Sequence, residues 1–279
     1  MLITHEDMAT RLLSPRVWRG LAPPAGMNAT GSSYISSSGN PAFGFFDDFL
    51  VHDTTSGDGY GKLTEHGATV AQVASTATAP GIVRLTGDAN DEEATIQLGN
   101  ILDTGPFRLQ KDFAFECRIK VSATMIVAGD WGFFAGMATG GASGCCITEQ
   151  LFAADAIYGT ANLVGFQHLA AESTALDAMY QASGQTKVDG AVDTDLDTIH
   201  TMVAATWVKL GFRFRAGRPR LLEWFVDGTE VCQIEETSIA AAAFPDADTA
   251  FMQPTIGMRG ADATTATLDI DWWACAQYE

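Results

Sequence analysis

The sequence predicts an all-β protein, and three observations carry that reading. Short alternating runs of β-branched and aromatic residues recur along the chain, set off by Gly, Asp, Asn and Pro at intervals of about 8–12 residues. Only residues 146–155 and 236–243 have helical character, so the regular βαβ alternation of a Rossmann or TIM fold is missing. The composition, with 28 Gly, 47% hydrophobic and 18% charged residues, is that of a folded, loop-rich chain rather than a disordered one. At 279 residues the chain has room for one large β domain with an added segment. No internal repeat is visible, which argues against propellers and solenoids. The expected architecture is a two-sheet antiparallel sandwich with a short helix and an extended N-terminal arm.

The arm comes first, at residues 1–44. Thr4 and Asp7 form a weak capping box, and Met8, Leu12 and Leu13 make a short apolar face before Pro15. A Pro/Gly/Ser-rich stretch follows that cannot bury enough surface to fold alone. Residues 1–46 hold three Arg and two acids, leaving 13 bases and 32 acids in the remainder. A near-neutral, Arg-bearing arm on an acidic body is the pattern of a docking segment. The plain alternative is a solvated terminus, which Leu2, Ile3, Val17 and Trp18 make too apolar to be the whole account.

The body, residues 45–279, reads as strands in order: FDDFLV, TVAQVAS, GIVRLTG, ATIQLGN, FAFECRIKVS, WGFFAGMA, LVGFQHL, LDAMYQA, WVKLGFRFR, LLEWFVDGTEVCQI and ATLDIDWWACAQ. In residues 113–122, Phe113, Phe115, Cys117, Ile119 and Val121 alternate against Ala114, Glu116, Arg118 and Lys120, a strand with one face in a core. Asp227-Gly228 is the dipeptide favoured in a two-residue hairpin turn. In the last run, Leu268, Ile270 and Trp272 are expected on one face and Asp269, Asp271 and Trp273 on the other.

Charge and cysteine usage set limits on function. A formal net charge of −18 opposes binding to nucleic acid by phosphate neutralisation. No run approaches the roughly 20 apolar residues of a membrane-spanning helix, and the first residues lack the apolar core of a signal peptide. Five Cys, with no CxxC and no His nearby in sequence, make a zinc site improbable and suit a reducing cytoplasm.

The runs FAFECRIKV, WGFFAGMA, WVKLGFRFR with LLEWFVDGTEV, and PTIGMR with LDIDWWACAQ together resemble the concanavalin A-like lectin/glucanase jelly-roll superfamily over residues 45–279. These motifs are structural, so the resemblance implies a fold more than an activity. A Ser/Gly-rich arm ahead of such a sandwich is also similar to virion proteins of tailed bacteriophages, among them capsid decoration (cement) and tail-associated proteins.

Tests for chemistry were negative or weak. The glucanase branch of that superfamily implies acids in an E-x-D-x-E strand, and this sequence has none; the nearest approach is Asp269 with Asp271, two polar residues on one strand face. Lectins of the superfamily imply Ca²⁺, for which Asp193, Asp195 and Asp197 are the candidate ligands; Thr198 and Ala204 stand where an EF-hand needs Gly and Glu. GDGYGK fails the phosphate-loop spacing at Ser56 and Leu63 and reads as a turn between strands, and Ser143 lacks a nucleophile elbow.

The leading expectation is therefore a non-enzymatic virion protein without cofactor, a capsid decoration protein made in the host bacterial cytoplasm. Leu12, Leu13, Trp18 and Tyr34 would anchor its arm on the major capsid protein or another virion protein, with Arg11, Arg16 and Arg19 on acidic patches, and the body would form a homo-oligomer. The alternative is a glycan-binding module of a phage tail or fibre, with Ca²⁺ at Asp193–197; a glycoside hydrolase is third.

Overall fold

The computed structural model describes residues 14, 16–17, 42–47, 49, 60–65, 67–73, 81–98, 107–108, 110–139, 162–190, 192–217, 219–235, 243–245, 251–260 and 263–278. They form two antiparallel sheets of eight strands each. Sheet I runs in the order β14 (Thr229–Glu235), β13 (Leu221–Val226), β12 (Val208–Arg215), β7 (Phe113–Val121), β16 (Ala266–Tyr278), β4 (Val83–Gly87), β3 (Thr69–Gln72), with β1 (Ala42–Asp47) also paired to β16. Sheet II runs β11 (His200–Thr201), β10 (Ala175–Gln181), β9 (Leu163–His168), β8 (Trp131–Ala138), β15 (Phe251–Gly260), β5 (Glu93–Leu98), β2 (Tyr60–Glu65), with β6 (Phe107–Arg108) also paired to β15. The expected two-sheet jelly-roll sandwich is what the chain forms.

The core lies between the sheets. Phe113, Phe115, Cys117, Ile119 and Val121 of β7 face it, as their alternation requires. They meet Leu210, Phe212 and Phe214 of β12 on one side and Leu268, Ile270, Trp273 and Cys275 of β16 on the other. From sheet II come Trp131, Phe133, Ala135 and Met137 of β8, with Val164 and Phe166 of β9 and Ile256 and Met258 of β15. Phe212 stacks at a tilt between Phe113 and Phe115, at 5.6 and 5.5 Å. Trp224 of sheet I donates its indole N–H to the Gly165 carbonyl of sheet II at 3.1 Å, a polar stitch that satisfies an otherwise stranded buried donor. The Asp227-Gly228 turn has positive φ at both residues, 49° and 74°, as that hairpin geometry demands.

Four differences from the sequence reading have physical causes. A bulge between Ile270 and Trp272 inserts Asp271 as an extra residue, so the alternation of β16 slips by one. Trp273, not Trp272, therefore joins Leu268 and Ile270 in the core, and Trp272 lies buried on the opposite face. The GDGYGK segment is not simply a turn, because β2 begins at Tyr60 and pairs with β5. The first strand starts at Ala42, ahead of the expected boundary, and ends at Asp47; beyond it Phe49 takes φ 51° and packs 5.5 Å from Trp273. Of the two helical stretches, residues 146–155 and 236–242 lie outside the described residues, and Ala243 is in a turn. The one helical element among the described residues is a 3-10 turn at Ala123–Ile126.

Trp131 pins the edges of the two sheets together. Its ring fills a slot between Gly87 of sheet I and Gly260 of sheet II, and its N–H donates to the Thr264 carbonyl at 3.0 Å. A Cβ at Gly260 would stand 2.5 Å from the ring, and one at Gly87 closer still. Gly87→Ala should therefore cost roughly 1–3 kcal/mol through overpacking, read as a lower urea midpoint; an unchanged midpoint would show that the slot is not tight.

Candidate functional site

A sandwich sheet usually turns its second face to water, yet the second face of sheet II is buried. Its residues follow from the strand registers. One row across the sheet is Gln97, Thr255, Gly136, Gly165 and Met179. The next is Thr95, Gly257, Phe134, Gln167 and Asp177. A third is Gln253, Ala138, Leu163 and Gln181. Gly136 and Gly165 contribute no side chains at the centre, and the Phe134 ring leans over Gly136. The face thus has an apolar middle, flanked along the β5–β15 seam by amides and hydroxyls.

That seam has open hydrogen-bonding capacity. The Gln97 amide donates to Thr255 Oγ1 at 2.6 Å, and Thr255 in turn donates to the Gln253 carbonyl at 3.0 Å. This chain of bonds fixes which way Gln97 points. Gln97 Oε1, Gln253 Nε2 and Thr95 Oγ1 are then left without a hydrogen-bond partner among the described residues, although each of these residues is only 1% exposed. Leaving such a group buried and unpaired costs about 1–3 kcal/mol. From the level of Thr95 to Gln253 the seam runs four residues along β15, roughly 13 Å. One acceptor, one donor and one hydroxyl able to do both are arranged along it.

An acidic corner lies at the β9–β10 end of the same face. Lys187 and Asp189 form a buried ion pair at 2.9 Å, and Gln167 bridges them, donating to Asp189 at 2.7 Å and accepting from Lys187 at 3.2 Å. Asp177 accepts from the Thr198 backbone N–H at 2.8 Å. Burial, with the charges of Asp177, Asp197 and Asp189, pushes the Glu172 carboxyl up to about 7 against the pull of Lys187. Burial also raises Asp177 to about 6, with Asp197 and Asp189 adding to it and the bonds from Thr198 and Gln167 opposing it. Asp193, Asp195 and Asp197, the Ca²⁺ candidates, sit in this loop. Asp193 accepts from the Asp195 backbone N–H at 3.1 Å, and Asp197 accepts from the Thr198 hydroxyl at 2.9 Å. No group of three ligating side chains among the described residues is arranged to hold a metal ion.

The other residues singled out by sequence lie on the far side of the sandwich, on the outer face of sheet I. Asp269 is bound by Arg84 through two bonds, at 2.6 and 2.9 Å, and by Lys120 at 3.0 Å. Burial pushes its carboxyl up, but the hydrogen bonds and charges of Arg84 and Lys120 outweigh that and hold it below its ordinary value. Asp271 is bound by Arg118 at 2.6 Å. Each acid of this pair is thus engaged by a cation, so neither stands free as a nucleophile.

Of the arm residues, Leu12, Leu13, Trp18, Tyr34, Arg11 and Arg19 lie outside the described residues. The described part of the arm is seated on its own sheet. Ser14 donates its backbone N–H to the buried Glu116 carboxylate at 2.9 Å, and Arg213 donates to the Arg16 carbonyl at 3.0 Å. Arg213 is itself held by two bonds of 2.8 Å to Glu223. Val17 is buried over Gly211, where a Cβ would come within 3.0 Å of it, while the Arg16 side chain is exposed. Sequence reasoning missed Glu116, Arg213 and Glu223 as a seat for the arm, and missed the Thr95, Gln97 and Gln253 seam altogether.

No protein-family model and no curated protein sequence matches the chain. Solved structures do. An endo-1,3-β-glucanase from Streptomyces sioyaensis is similar at 12% identity and TM-score 0.52, over 88% of this chain and 99% of that one. The carbohydrate recognition domain of Emp47p is similar at 11% identity and TM-score 0.50, over 90% and 98%. An endo-β-1,4-glucuronan lyase from the fungus Trichoderma reesei is similar at 10% identity and TM-score 0.52, over 83% and 94%. At such identities the likeness shows the fold alone, a two-sheet antiparallel jelly-roll sandwich.

Two outcomes follow from these geometries. Glu172 and Asp177 have ordinary values of 4.5 and 3.8, so between those values and about 7 and 6 the folded chain holds protons that the unfolded chain has released. Stability should then fall as pH rises from 5 toward 8. His168 and His200, both lowered by burial, act in the opposite sense below their ordinary 6.5. A Glu172→Gln, Asp177→Asn double variant isolates the carboxyl contribution: its urea midpoint should lose that downward slope, and an identical slope in both proteins would refute the assignment. Separately, Val17→Asp should cost the arm's seat roughly 1–3 kcal/mol and speed trypsin cleavage after Arg16 about tenfold or more; unchanged cleavage would mean that the seat does not hold the arm.

Proposed function

We propose that the chain is a non-enzymatic glycan-binding module, of the kind carried on a phage tail or fibre. The observation that carries this reading is the β5–β15 seam. An open acceptor at Gln97, an open donor at Gln253 and the Thr95 hydroxyl call for a ligand whose groups both donate and accept, which is what sugar hydroxyls do. The apolar middle of the face, at Phe134, Leu163 and Met179, matches the C–H faces of pyranose rings. The solved structures of like fold include proteins named as a carbohydrate recognition domain and as a glucanase, and this adds to the reading by analogy.

The non-enzymatic part rests on the acids. Asp269 and Asp271 are tied in ion pairs on the opposite side of the sandwich, and Glu93, the carboxylate that β5 places beside the seam, is held by Arg259 at 3.0 Å. Capsid decoration through the arm ranks second, because Ser14 and Val17 are occupied with the chain's own sheet. Titration calorimetry against a glycan panel tests the first reading. Gln97→Ala and Gln253→Ala should each weaken binding about tenfold, the equivalent of 1.4 kcal/mol. Binding that neither substitution changes, or binding to no glycan at all, would overturn it.

A further inference from the structure

The outer face of sheet II carries a further group at its β6 end. β6 pairs Arg108 with Phe251 of β15. Phe107 and Met252, the alternate residues of that pairing, point into the core, so Arg108 and Phe251 lie on the outer face with Gln253 and Thr255. The guanidinium sits over the Phe251 ring, 4.2 Å from its centroid. Gln277 of sheet I fixes the backbone beneath it: the Arg108 N–H donates to the Gln277 amide oxygen at 3.1 Å, and the Gln277 amide N–H donates to the Arg108 carbonyl. Arg108 is exposed, Phe251 half-buried and Gln253 buried, so this end of the seam grades into solvent. Among the described residues no carboxylate pairs with Arg108. Arg259, toward the other end of β15, is by contrast held by Asp91 at 2.8 Å and Glu93 at 3.0 Å.

We propose that Arg108 is a carboxylate-binding subsite at the end of the seam, and that the preferred ligand is an oligosaccharide with an acidic sugar at the end that meets β6; this rests on the glycan-binding reading above. A planar guanidinium presents paired N–H donors that match the two oxygens of a carboxylate. Stacking on Phe251 holds that fork in place before a ligand arrives, so less side-chain freedom is lost on binding. The open Gln253 amide lies two residues further along β15, about 7 Å away. A uronic acid ring carries its carboxylate and its hydroxyls on one rigid frame, so it can meet the guanidinium and the amide together. Because Arg108 stands at the solvent edge, a carboxylate bound there keeps part of its hydration and avoids the cost of full burial. The net charge of −18 opposes an anion at long range, but physiological salt screens that field within about 8 Å, and a guanidinium–carboxylate contact is much closer.

Calorimetry on the full-length chain at one ionic strength tests this. The ligands are β-glucan and mannan trisaccharides, each compared with a length-matched form that carries a single glucuronic acid at one end or the other. In at least one series the acidic form should bind about fivefold or more tightly than its neutral partner. Arg108→Gln, a change at an exposed side chain, should bring that ratio close to one. A ratio near one in the unaltered chain, or a ratio that Arg108→Gln leaves unchanged, overturns this inference and leaves the glycan-binding reading standing. Binding of neither form overturns both.

Discussion

The constraint that shapes this protein is that the central strands of both sheets are buried on their outer as well as their inner faces. A β-strand sends alternate side chains to opposite faces, so a two-sheet sandwich normally needs only one apolar face per sheet. Here the middle of each outer face also lies out of water, as Glu116, Trp272 and Ala274 show on sheet I and Gln97, Phe134 and Gln167 on sheet II. Each outer face must therefore satisfy its polar groups internally or leave them open at a cost. The two sheets solve this differently, and the difference separates framework from candidate site.

Sheet I pairs its charged groups across neighbouring strands. Arg84, Asp269 and Lys120 form a ladder across β4, β16 and β7 in strand register, and Arg213 forms a two-pronged pair with its cross-strand neighbour Glu223. Trp207 adds its ring beside Arg118 and Lys120, at 4.9 and 4.7 Å. The arm adds to this pairing, because the Ser14 amide and the Arg16 carbonyl meet Glu116 and Arg213. Sheet II pairs Arg259 and Lys187 with carboxylates, sets Arg108 over the Phe251 ring, and leaves amide and hydroxyl capacity along the β5–β15 seam. Buried capacity of that kind is costly to keep, and ligand recognition is a physical reason to keep it.

Much of the framework was legible in the sequence. The alternation in 113–121 and 207–215 could be read because one face is aromatic and the other charged, and Asp227-Gly228 marked its hairpin by backbone preference. The facing of Trp272 and Trp273 could not be read, since a bulge is an event of backbone pairing that leaves no mark in the side-chain order. β2 was hidden by its three glycine-spaced neighbours, which look like turn residues until β5 is there to pair with them. The seam was hidden for another reason. Thr95 and Gln97 alternate with Ala94, Ile96 and Leu98 as ordinary solvent-facing residues do, and only the fold shows that this second face is buried and that Gln253 and Thr255 lie beside it. The acidic pair Asp269 and Asp271 was conspicuous in sequence and belongs to the framework.

The central claim is that the outer face of sheet II is where a ligand is read. The most direct measurement is a two-dimensional NMR titration that follows the side-chain amide signals of Gln97 and Gln253 as an uncharged oligosaccharide is added. Those two amides should shift together and saturably, while the guanidinium signals of Arg84 and Arg213 on sheet I stay in place. Saturable shifts confined to sheet I, with Gln97 and Gln253 unmoved, would contradict the account.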